Sequence, residues 1–142
     1  MTDHDTTPRD TVTAIKRGLR GRCPHCGEGK LFLAFLKVAD QCPHCAEDLT
    51  HQRADDAPAY FVISIVGHIV VMAALVVETT YMPPLWVHSA MWIPLTIALS
   101  LALLQPIKGA IVAWQWAHRM HGFDSDSSAD DLKLQPAVKP AP

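Results

Sequence analysis

The stretch APAYFVISIVGHIVVMAALVV, residues 57–77, runs for 21 residues without an Asp, Glu, Lys or Arg. At 1.5 Å per helical residue it matches a hydrocarbon layer of roughly 30 Å. A core helix of a soluble protein would show a polar stripe at the 3.6-residue period, and this stretch shows none. It is predicted to be a transmembrane helix. A second uncharged stretch, LWVHSAMWIPLTIALSLALL, covers residues 85–104. Its span is expected to reach about residue 107 and to continue, kinked near Pro106, as a helical extension to about residue 120. The two spans are joined by ETTYMPPLW, in which Pro83 and Pro84 break the helix and Tyr81 and Trp86 suit an interface.

Charge gives the hairpin a direction. Arg9, Lys16, Arg17, Arg20, Arg22, Lys30, Lys37 and Arg53 precede the first span, four Lys and Arg follow the second, and the turn has none. The positive-inside rule then puts both termini in the cytoplasm. A secretory leader is not expected, because the apolar run begins far from the N-terminus. The net charge of -2 over 142 residues gives no general attraction to nucleic acid.

The chemistry before the first span is set by CPHC, written twice, at Cys23–Cys26 and Cys42–Cys45. A cytoplasmic head is in a reducing compartment, so the cysteines are expected to be thiols rather than a disulfide oxidant. Fifteen residues separate Cys26 from Cys42, within the window of a zinc site with two CxxC knuckles. Cys23, Cys26, Cys42 and Cys45 are therefore the predicted ligands of one structural Zn2+, closing its tetrahedron and leaving no position for catalysis. A segment this short also needs the metal's binding energy in order to fold. Gly27 suits the positive φ that follows the first knuckle, whereas Ala46 occupies the equivalent place in the second. His25 and His44 are expected to be exposed knuckle residues.

Several residues remain outside these elements. Leu31, Phe32, Leu33, Phe35 and Leu36 are more apolar groups than a miniature ribbon encloses, and some are expected to meet the helices or lipid. Asp55 and Asp56 precede Pro58, as capping residues would. His68 sits in mid-span, where a hydrogen bond to Ser100 or Thr96 of the other span is the expected explanation. Glu78, His88, Met82 and Met91 could be read as a soft-metal patch, though their spacing lends it little support. Gly109, Ala113 and Ala117 form a small-residue stripe fit to receive another helix. His118 and His121 lack further ligands.

These readings combine into a membrane α fold, a two-helix transmembrane hairpin with a small N-terminal cytoplasmic zinc ribbon. Residues 1–15 are expected to form a disordered tail, 16–54 the ribbon head, 55–122 the hairpin, and 123–142 a second disordered tail. No nucleophile and base pair, phosphate loop or catalytic triad is visible, so no enzyme is expected.

The segments GLRGRCPHCGEGKLF, DDAPAYFVISIVGHIVV, YMPPLWVH and LLQPIKGAIVAWQWAHRMHGF, spread over residues 18–122, resemble the bacterial inner-membrane family called domain of unknown function 983. The resemblance implies a zinc-ribbon head on a two-helix anchor in the inner (plasma) membrane, with no assigned catalytic residue. Genes of the family often lie beside those for cytochrome c oxidase subunits and assembly factors. That association implies a non-enzymatic accessory role in building the oxidase, with its subunits or assembly factors as partners. Two alternatives stay open: a metal- or haem-handling membrane protein that uses His68, and a membrane-tethered ribbon that binds nucleic acid through Arg17, Arg20 and Arg22, which lack interleaved aromatic residues.

Overall fold

The computed structural model describes residues 8–123. Three α-helices follow one another, α1 over Thr11–Leu19, α2 over Ala57–Tyr81 and α3 over Leu85–Ala117, and a 3-10 turn at Met120–Gly122 ends the described chain. Residues 20–56 form the head. Among the described residues there is no strand, and the head is stitched by three isolated antiparallel bridges, Arg22 to Lys30, Phe32 to Val38 and Gln41 to Asp48.

Helix α2 starts with Pro58 in its first turn, where a missing amide costs no hydrogen bond. Asp56 stands at the N-cap, but its side chain bonds no amide. The capping expected of the acidic pair is thus absent, and Asp56 contributes its backbone carbonyl to the amide of Ala59 at 3.1 Å. At the far end Met82 turns left-handed (φ 45°) and returns its amide to Glu78. Pro83 and Pro84 cannot continue the helix, and α3 restarts at Leu85. It then runs through both Pro94 and Pro106 as one helix.

Both long helices have the length and apolarity to cross a membrane. Few of their side chains are covered by the chain itself. Helix α2 buries Pro58, Val62 and Val66, and α3 buries nothing before Gly109. Apolar residues such as Ile63, Leu75, Ile97 and Leu101 are more than half exposed.

Packing is concentrated where the head meets the C-terminal part of α3. The core there joins Ala14 of α1, Cys23, Leu31, Phe32, Val38, Cys42, Leu49 and Ala54 of the head, Val112, Ala113 and Trp116 of α3, and Phe123. Leu31 and Phe32 are buried while Leu33 and Phe35 face outward, so the apolar run divides between the core and the surface.

Helix α1 takes in residues 11–15, which the sequence placed in a structureless tail. Residues 8–10 and Phe123 also fall in the expected tails, yet Asp10 caps α1 and Phe123 is buried in the core, while residues 1–7 and 124–142 lie outside the described residues. Nine residues are too few to hold a helix in isolation. Here Asp10 caps the amide of Val12 at 3.1 Å, and α3 supplies the packing. A Cβ on Gly18 would come within 2.3 Å of the Gly109 carbonyl oxygen, and one on Gly109 within 2.1 Å of that of Gly18. This crossing demands glycine on both helices. Ala113 lies against the same spot, 2.7 Å from where a Gly18 Cβ would be. Gly109 and Ala113, two of the three residues of the stripe expected to receive another helix, are thus covered by the chain's own α1.

Candidate metal centre

The two knuckles are built alike. After each pair the chain turns so that the amide of the following residue reaches back to the first cysteine's carbonyl: Gly27 to Cys23 and Ala46 to Cys42, each at 2.9 Å. Both turning residues have positive φ, 76° at Gly27 and 59° at Ala46. Alanine pays a steric penalty there that glycine avoids, as the sequence anticipated. Each knuckle then closes on itself, Cys23 donating its amide to Gly29 at 2.8 Å and Cys42 to Glu47 at 2.9 Å. Both pairs lie in turns and not at a helix N-terminus, where a thioredoxin-like oxidant would carry its CxxC.

Folding the two knuckles together brings the sulfurs of Cys23, Cys26, Cys42 and Cys45 within 4.8 Å of one another. Cys23 Sγ lies 3.8 Å from Cys45 Sγ, and Cys26 Sγ lies 3.8 Å from Cys42 Sγ. A disulfide would bring a pair to about 2.05 Å, so all four are thiols. A tetrahedral metal with bonds of about 2.3 Å to sulfur has edges of about 3.8 Å. The donor set and its spacing therefore fit a metal ion held by four thiolates, a geometry shared by zinc and by iron–sulfur sites.

The surroundings prepare the sulfurs unequally. Burial pushes the Cys23 thiol well up, and burial likewise raises Cys45. Burial acts in the same direction on Cys26, but amides of Gly29 and Glu28 and the neighbouring cysteines outweigh it and bring its thiol down to about 6. The Gly29 amide points at Cys26 Sγ from 3.4 Å. Of these three thiols, that of Cys26 is the most readily deprotonated.

Gly29 had no role in the sequence reading. A Cβ on it would sit 2.2 Å from Cys42 Sγ, so the glycine keeps space for the sulfur. Arg17, read from the sequence as a surface charge and a candidate nucleic-acid contact, has a structural role here. Its guanidinium bonds the carbonyls of Pro24 at 3.1 Å and His25 at 2.7 Å, tying α1 to the first knuckle. His25 and His44 stand outside the sulfur cluster. His25 meets the Trp116 ring edge-on at 5.9 Å, and His44 reaches Glu28 at 2.8 Å, linking the two knuckle loops.

Beneath the cluster, α3 fastens the head. Gln115 is buried and makes both hydrogen bonds a neighbouring strand would make to Arg53, accepting from its amide at 3.0 Å and donating to its carbonyl at 2.9 Å. Trp116 donates its indole N–H to Glu47 at 2.7 Å, while the Arg9 guanidinium stacks 4.2 Å from its ring centre. Trp116 is a core residue of the head. A polar Gln between two tryptophans was the available signal.

The other candidates are not brought together. His68 Nδ1 bonds the Ser64 carbonyl of its own helix at 2.6 Å, and Thr96 bonds Trp92, so the expected bond between the spans is not made. His88 spends both ring nitrogens, one on Glu78 at 2.8 Å and one on the Trp92 indole at 2.9 Å, which leaves none for a metal with Met82 or Met91. His118 bonds the Trp114 carbonyl. Among the described residues, the four cysteines are the cluster of three or more such side chains able to hold a metal.

No curated protein and no solved structure compared with the chain matches it. The family described as Protein of unknown function (DUF983) matches residues 32–116, more than half of the chain and a stretch that holds the second knuckle, both long helices and Trp116. The chain is a member of that family.

Proposed function

We propose that this is a non-enzymatic zinc-ribbon protein anchored in the inner membrane by a two-helix hairpin, with its head and both termini in the cytoplasm. The observation that carries the reading is the cluster of four cysteine sulfurs, all within 4.8 Å of one another and two pairs of them at 3.8 Å, seated on the C-terminal end of α3. A bound zinc would supply structural cross-linking between the knuckles and, being fully coordinated, no Lewis-acid site. The membrane reading is supported by the exposed apolar side chains of α2 and α3, which water would not tolerate over such an area. The cytoplasmic head follows from the distribution of Lys and Arg.

A head of this kind is equipped to grip a partner, and the hairpin to hold that partner at the membrane. Assembly of a respiratory cytochrome c oxidase is the process we propose, on the strength of the resemblance to a family whose genes accompany those of the oxidase. Metal analysis of the purified protein tests the chemical part: one zinc per chain, lost in Cys42→Ser, and no visible absorption band, which an iron–thiolate site would give. The cellular part predicts that deleting the gene lowers the amount of assembled oxidase. Normal oxidase spectra in the deletion strain, with that enzyme as the main terminal oxidase, remove the assembly role.

A further inference from the structure

We propose that α2 carries a self-association face centred on Ser64, Gly67 and His68, and that its occupant is a second copy of this chain. The proposal rests on the reading of α2 as a membrane span, and it names the partner that His68 meets there.

Val62 and Val66 point inward and are buried. Each residue of a helix advances 100°, so Ser64 and His68, two residues either side of Val66, project from the opposite side. His68 is exposed there, twelfth of the 25 residues of α2 and so near the centre of the span. An ionisable side chain at that depth is costly against lipid and normally faces protein or a water-filled cavity. The chain's own α3 does not cover it.

The hydrogen bonds on this face are half made. A carbonyl oxygen only accepts, so the 2.6 Å contact with Ser64 fixes the proton of the neutral imidazole on His68 Nδ1 and leaves Nε2 as an acceptor. Three hydroxyls in the long helices donate to a carbonyl one turn back, Thr79 to Leu75, Ser89 to Leu85 and Thr96 to Trp92, whereas those of Thr80 and Ser100 do not. The Ser64 hydroxyl makes no such bond among the described residues. One face therefore presents an uncommitted donor and an uncommitted acceptor on adjacent turns. A second copy related by a two-fold axis along the membrane normal brings the matching groups, and two reciprocal Ser64 to His68 bonds satisfy all four. Helical side chains lean toward the N-terminus, which carries the imidazole of one copy down toward the level of the other's Ser64, about 6 Å below. An acyl chain offers neither a donor nor an acceptor.

Shape agrees with this chemistry. A Cβ at Gly67 would meet nothing within 4 Å, and the hollow of about 270 Å³ around it is bounded by Ile63, Ser64, His68, Val71 and Met72. Small residues at such a point let two spans approach closely enough for side-chain hydrogen bonds to form.

The test uses the full-length protein in two steps. Carbonate washing of membranes comes first: extraction of the protein would overturn the membrane reading, and the proposal with it. Resonance energy transfer between donor- and acceptor-labelled copies in lipid vesicles then measures association. Wild type is expected to transfer energy, and Gly67→Leu to reduce transfer to the level of a monomeric control while keeping its bound metal and membrane residence. Ser64→Ala and His68→Phe should each weaken the dimer by about fivefold, and the double variant no more than either alone, because each removes one half of the same bond. A carbonate-resistant wild type that shows no transfer, a Gly67→Leu variant that associates as well as wild type, or fully additive losses at Ser64 and His68 would each overturn the proposal.

Discussion

Helix α3 has a long first part and a short last part of similar apolar composition and opposite fates. None of residues 85–108 is buried in the chain, whereas Gly109, Val112, Ala113, Gln115 and Trp116 all are. The first part meets whatever solvent surrounds the hairpin. The second is a wall of the cysteine head, sharing a core with Cys23 and Cys42. Hydrophobicity alone therefore does not mark where an anchor ends and a domain begins. What marks it here is side-chain size and polarity: Gly109 and Ala113 admit α1, and Gln115 matches the backbone of Arg53.

The sharpest way to break this contrast is at the metal. Cys42→Ser should abolish metal binding and unfold the head, since a structural zinc contributes on the order of 10 kcal/mol to a small ribbon. The helicity of α2 and α3, measured by circular dichroism, should persist. Loss of both together would show that the spans depend on the head. Acidification acts on the same site. Cys23 and Cys45 have raised values and must each release a proton when metal binds at neutral pH. Apparent affinity should then rise at least about a hundredfold per pH unit and fall as steeply on acidification. A metal competition assay at pH 6.5 and 7.5 reads the slope, and a change below tenfold contradicts it.

Substitutions in α3 come next. Ala113→Leu should displace α1 and destabilise the head by several kcal/mol, about the range of severe overpacking. The effect would be seen in the isolated protein, with no partner needed. Gln115→Leu strips the Arg53 amide and carbonyl of their partners and is expected to cost about 1–3 kcal/mol. Val112→Ala should cost about 2 kcal/mol through lost burial and a cavity. The smallest effect belongs to the first part of the helix. Ile97→Leu and Leu101→Val should change head stability by less than about 0.5 kcal/mol, and a larger change would mean that this part is packed after all.

The elements the sequence announced were those dictated by local chemistry. Long uncharged runs predicted both long helices, and the repeated CPHC predicted which four sulfurs converge. The positive φ expected at Gly27, and its awkward equivalent at Ala46, are both present. What stayed hidden depends on contacts between distant residues. Helix α1 exists because Gly109 and Ala113 receive it, and nothing within Thr11–Leu19 reveals that neighbour. Gln115 reads as a stray polar residue until Arg53, 62 positions earlier, lies beside it. His68 misled for the reverse reason: a partner on the second span was expected, and the imidazole turned back to its own helix.

The union of the four-cysteine head and the helix end is tested most directly by the rate at which a chelator strips metal from the metal-loaded, full-length protein. Trp116→Ala removes the indole that holds Glu47, next to the second knuckle, without touching a cysteine. Supporting residues around a metal site typically change affinity by about 10–100-fold. Metal release from Trp116→Ala should accordingly be at least about tenfold faster than from wild type, while Leu101→Val releases at the wild-type rate. Equal rates for all three proteins would contradict the account and make the head an independent module that α3 merely carries.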